Sequence, residues 1–155
     1  MICVGSRRLN SSSLFGNTDF GDYGFLSSGN CATGSTTDCE PPAETPFPPY
    51  YGYQILTHLG KPGDTMLSAS SGINLVSVHA VKQANGKLAV LLINTDPNNS
   101  YSVRVTLNGA TSTGNATVFT YGKNSTSISS SSLAVSGSAF TVSVAPYALT
   151  TVDLP

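Results

Sequence analysis

From Thr65 onward, apolar residues alternate with polar ones at a period of two in a series of short runs. Successive side chains of a strand point to opposite faces, so such a run is a ribbon with one face for a core and one for water. "LVSVHAVKQ" (75–83) sets Leu75, Ser77, His79 and Val81 on one face and Val76, Val78 and Ala80 on the other. "YSVRVTL" (101–107) points Tyr101, Val103, Val105 and Leu107 inward, and "AFTVSVA" (139–145) alternates in the same way. "KLAVLLIN" (87–94) is nearly all apolar, which marks a central strand covered on both faces. Shorter strands are read at "TMLSAS" (65–70), "ATVFTYG" (116–122) and "PYALTTVDL" (146–154). "STSISSSSLAVSG" (125–137) reads as a polar connection with a short edge strand.

The turns agree with this reading. Asn85-Gly86 is a strong two-residue hairpin signal, and Asn108-Gly109 repeats it. In "DPNN" (96–99) Pro97 presets the backbone for a turn. Seven to eight short antiparallel strands predict an all-β sandwich over 65–155. Residues 1–64 predict an extended loop region with one short helix. Six of the nine prolines fall between Pro41 and Pro62, and six of the eight acidic residues lie within the first 64 positions. The helix is expected over "YYGYQILTHLG" (50–60), where Tyr51, Ile55, Leu56 and Leu59 share a helical spacing. Gly60 would supply a left-handed C-terminal residue, and Pro62 would block extension. A helix this short needs something to pack on.

Composition narrows the function. Charged residues make up 10% of the 155, and Ser, Thr, Asn and Gly take their place, as in β-rich extracellular domains. The net charge is -1 and the seven basic residues are scattered, so the chain lacks the footprint of a nucleic-acid binder. No apolar stretch nears the roughly 18 residues a membrane-spanning helix requires. Met1 to Arg8 does not read as a signal peptide, because its arginines follow a short apolar stretch, and it reads instead as a junction sequence. Cys31 and Cys39 flank a Gly/Ser/Thr loop, "CATGSTTDC", and would either close it as a disulfide in an oxidising compartment or remain free thiols. No third ligand has metal spacing, so no metal or other cofactor is expected, and Cys3 is left over.

The order of elements resembles the C-terminal end of retaining glycoside hydrolases of the (β/α)8-barrel superfamily. "PYYGYQILTHLGKPGD" is similar to the last barrel helix of those enzymes, which leads directly into a β-sandwich. "VAPYALTTVDLP" resembles the sandwich's final strand, and "LFGNTDFGDYGFLSSG" (14–29) looks like the eighth barrel strand and its loop. The resemblance implies a secreted, cellulase- or xylanase-like parent whose acid/base and nucleophile glutamates sit at the ends of barrel strands four and seven. Neither motif has a match in this chain. The resemblance therefore implies a non-catalytic accessory domain that partners a barrel of the same parent protein. The partner face would be apolar and would invite self-association.

The residues also allow other readings. Glycoside hydrolysis needs two carboxyl groups roughly 5–9.5 Å apart. The chain's two glutamates, Glu40 and Glu44, lie on one proline-rich loop, and solvated loop acids are the plainer account. Asp19 or Asp22 could substitute for one of them. His58 and His79 are the only histidines, and no G-x-S-x-G elbow accompanies them. Polysaccharide or oligosaccharide binding uses aromatic platforms. Phe47, Tyr50, Tyr51 and Tyr53 are the candidates before the sandwich, and Tyr101, Phe119 and Tyr121 are those on it. Helix spacing gives Tyr51 and strand alternation gives Tyr101 a structural role, which leaves Phe47 and Tyr50 as the best exposed candidates. Calcium ligation by Asp96 with Asn98 and Asn99, or by Asp19 with Asp22, competes with a plain turn, which is the plainer account. Four N-x-S/T sequons begin at Asn10, Asn98, Asn115 and Asn124.

Overall fold

The computed structural model describes residues 25–27, 29, 31, 39 and 41–155. The chain divides into two compact units, Met1–Tyr51 and Gly52–Pro155, and the division falls inside the helix. In the first unit, Leu26 and Pro46 form an isolated antiparallel bridge. Ser27 N–H donates to Thr45 O, Glu44 N–H to Ser27 O and Phe47 N–H to Phe25 O, each at 2.9 Å. A disulfide joins Cys31 and Cys39, which also face each other as an isolated bridge.

Helix α1 spans Pro48–Leu56. It begins two residues earlier than the spacing predicts, because prolines in the first turn cost no hydrogen bond and carry a helical φ. It also ends earlier: 57–59 continue as turns, with Thr57, His58 and Leu59 N–H groups bonded to carbonyls three residues back. Gly60 is not left-handed; the nearest positive-φ residue is Gly63, at φ 98°, in the turn before Thr65 and not at the helix end. Gly60 is required for a different reason: a Cβ there would meet Val81 Cγ1 at 2.9 Å.

Eight strands follow: β1 (Thr65–Leu67), β2 (Val76–Lys82), β3 (Leu88–Asn94), β4 (Tyr101–Thr106), β5 (Ser112–Tyr121), β6 (Ser129–Gly137), β7 (Ala139–Val144) and β8 (Ala148–Asp153). All pairs are antiparallel. Six strands form one sheet in the order β1-β2-β3-β8-β5-β6, and β4 pairs with β7 in a second. Asn85-Gly86 makes the β2–β3 hairpin, with Gly86 at φ 89°. Asn108-Gly109 does not make a hairpin, because β4 and β5 belong to different sheets and the chain crosses between them. The polar stretch 125–137 holds a nine-residue strand, β6, rather than a short one. It pairs with β5 from Ser112↔Gly137 to Thr120↔Ser129, so β5 also starts earlier than its apolar run.

The main core lies between the two sheets. Val90, Leu92, Val118, Val142, Val144 and Val152 are buried there, and the inward residues of β4 pack against them. β3 is third in the six-stranded order and buried on both faces, as its continuous apolar run predicts.

Candidate functional site

The outer face of the six-stranded sheet carries a second apolar cluster. Register sets Val81, Ala89, Leu91, Ile93 and Leu149 on the side away from the main core. Leu59, just beyond α1, packs onto them. Ile55 is fully buried, and its carbonyl accepts a 3.4 Å bond from Thr151 Oγ1 of β8. His58 stacks on Phe119 of β5, with ring centroids 3.6 Å apart and planes 11° from parallel. One helix end therefore caps the centre of this face, which leaves Ala89 and Leu91 at 0% and 2% exposure. Ile93 and Leu149 beside them are half-buried, and His79, opposite Leu91, is exposed. Met66 is exposed on the same face.

A polar corner closes the other end of β3 and β4. Asp96 is buried and accepts from Asn98 N–H (2.8 Å), Asn99 N–H (2.9 Å), Asn99 Nδ2 (3.0 Å) and Tyr101 Oη (2.7 Å). The Tyr101 hydroxyl first, then the Asn98 and Asn99 donors, hold its carboxyl well below the usual carboxylate range. The same bond, with burial and the neighbouring charge, raises the Tyr101 phenol. Asn94 Nδ2 donates to Asn99 O and Ala145 O, and Asp96 N–H donates to Asn94 Oδ1. Both Asp96 oxygens are taken by N–H and O–H donors, which fits a structural turn and not a cation site. Tyr101 thus serves this corner.

The other residues singled out in the sequence fall as follows. Glu44 is exposed at φ 68°. Glu40, Asp19, Asp22, Cys3, Asn10 and the first eight residues lie outside the described residues. Asp64 accepts from Lys61 and Ala84 N–H groups, and Asp153 accepts from Gln83 Nε2 at 3.4 Å. Phe47 and Tyr50 are half-buried, and Tyr50 meets Tyr51 edge-on at 5.4 Å. Tyr53 is 64% exposed. The His58–Phe119 stack has no sequence signal, because its two rings lie 61 positions apart and only tertiary packing joins them.

Neither a protein-family model nor a curated protein sequence matches the chain. Solved structures do. A xyloglucanase of glycoside hydrolase family 44 from Paenibacillus polymyxa is 29% identical, with a TM-score of 0.55 over 62% of this chain. The chain matches part of a glycoside hydrolase. It spans only 19% of that enzyme, and the same enzyme with xyloglucan matches at 28% identity. The catalytic domain of family 30 xylanase C from Talaromyces cellulolyticus superposes over 85% of this chain and 27% of its own, at TM-score 0.62. At 17% identity that likeness shows the fold alone.

Proposed function

We propose that this chain is the non-catalytic β-sandwich accessory region of a secreted polysaccharide-degrading glycoside hydrolase, seated against a catalytic barrel. One observation carries the reading: the outer face of the six-stranded sheet is apolar, is capped by the end of α1, and belongs to a fold shared with a fraction of a xyloglucanase. A sheet that buries both faces is built to sit between two layers. The described aspartates support a structural role, since each accepts hydrogen bonds within the sandwich. The Cys31–Cys39 disulfide supports an oxidising, extracellular setting, and among the described residues no helix is long and apolar enough to cross a membrane. Weak glycan contact through Phe47, Tyr50 or the exposed Tyr53 belongs to the same proposal.

The test is an activity and binding assay of the purified chain on xyloglucan, xylan and cellulose. The expected result is no release of reducing sugar, unchanged by Glu40→Gln or Glu44→Gln. Affinity electrophoresis is expected to show weak retardation that Tyr53→Ala reduces. Turnover abolished by either glutamate substitution would make the chain an enzyme. Strong retardation without turnover would make it a self-sufficient carbohydrate-binding module.

A further inference from the structure

The two sheets of the sandwich are unequal, and the smaller one is a two-stranded ribbon whose outer edges, on β4 and on β7, pair with no other strand among the described residues. β4 pairs with β7 along one edge, and among the described residues no strand pairs with the other. Leu107 N–H donates to Ser138 O at 2.7 Å. Alternate residues of an antiparallel strand bond to the same neighbour. With Val105 opposite Phe140 and Val103 opposite Val142, the backbone groups of Ser102, Arg104 and Thr106 therefore face the open edge.

A groove of about 950 Å³ runs along that edge. It is lined by consecutive residues Val103 to Leu107, by residues 67–73, and by Val78, Ala80 and Val90 of the large sheet's inner face. The inner face of the large sheet is left partly uncovered: Val78, Ala80 and Leu88 are only half-buried, and Leu67 is 38% exposed. Lys82, Lys87 and Arg104 line the groove, and no Asp or Glu does. Among the described residues none of the three cations has a side-chain hydrogen bond or an ion pair. Ser112, on the same lining, has a buried hydroxyl without a partner.

We propose that this groove is a docking site for an extended strand of a partner polypeptide, which becomes the third strand of the smaller sheet. The partner's chemistry follows from the lining. It alternates apolar and polar residues, so that one face meets the apolar floor, and it carries acidic residues for the three cations. Strand addition satisfies an open edge through main-chain bonds, and alternate side chains give specificity. Cations alone would equally suit an anionic glycan. The row of unpaired backbone groups at strand spacing over an apolar floor favours polypeptide. The inference stands independently of the accessory-domain reading.

The experiment titrates the full chain into a fluorescein-labelled ten-residue peptide of alternating Val and Thr, with Glu at each end, and reads anisotropy. Saturable binding is expected, at least tenfold weaker with Thr106→Pro, which removes an N–H from the open edge. Proline at such an edge position is compatible with folding, and an unchanged circular dichroism spectrum is the expected control. The same peptide N-methylated at alternate residues is expected not to bind the unaltered chain. The double variant Lys82→Glu/Arg104→Glu is expected to prefer a Lys-ended peptide. The proposal falls if neither peptide binds, or if N-methylation leaves binding intact. It also falls if a glucuronoxylan oligosaccharide binds at Lys82 and Arg104 unaffected by Thr106→Pro. A chain dimer that Thr106→Pro dissolves, without peptide binding, would assign the groove to a second copy instead.

Discussion

At the scale of single residues, two positions concentrate constraint. Asp96 is held ionised by four donors, so its folded pKa lies below the unfolded value near 4. The corner's stability is fully present above that unfolded value and is lost as pH falls toward the depressed one. Tyr101→Phe removes the largest cause, and denaturant titrations between pH 7 and pH 2 should show a smaller loss of stability on acidification. On the alkaline side, the raised Tyr101 phenol gives stability that is present below its unfolded value and fades as pH rises through the folded one. Gly60 is the second position. Gly60→Ala forces a Cβ against Val81 Cγ1 and should cost about 1–3 kcal/mol in urea unfolding. Gly52→Ala, inside α1 with nothing within 4 Å of the added Cβ, should instead stabilise by up to about 1 kcal/mol.

At the scale of elements, the end of α1 matters more than its length suggests. Nine residues make a marginal helix in isolation. Leu59, just beyond it, closes the outer face over Ala89 and Leu91, and the fully buried Ile55 is tied to β8 through its carbonyl and Thr151. Ile55→Ala should therefore destabilise by about 2–5 kcal/mol, the range for deleting a buried branched side chain, measured by calorimetry or urea unfolding. Leu56→Ala, at a position 40% exposed, should have little effect. The helix was legible from the Tyr51–Ile55 spacing, although it ends at Leu56, before the Leu59 and Pro62 that the sequence offered as its last turn and its stop. Its start was not, because Pro48 and Pro49 read as loop until they are seen in a first turn. β6 was only half legible. Four consecutive serines carry little periodicity, and the strand exists because β5 offers it a nine-pair ladder.

At the scale of the whole molecule, the apolar outer face bears on behaviour in solution. Met66 is 63% exposed on that face, and Leu56 of α1 is 40% exposed. Light scattering behind gel filtration should show masses rising above the 16.0 kDa of one chain as concentration increases. Leu56→Glu combined with Met66→Lys should return the chain to a single monomeric mass without lowering its melting temperature.

Alternation in β2, β4 and β7 and the continuous run in β3 were readable because strand periodicity is local: each residue's face follows from its neighbours. The β2–β3 turn is local in the same sense: Gly86 alone takes the positive φ, and the turn closes within Gln83 to Lys87. Sequence alone therefore determined the class, an antiparallel sandwich with one short helix. The six-and-two division of strands, the crossover at Asn108-Gly109, the His58–Phe119 stack and the open edge of β4 were decided by tertiary structure. Each depends on which distant segments meet, and residues up to 96 positions apart, such as Ile55 and Thr151, leave no mark in one another's neighbourhood.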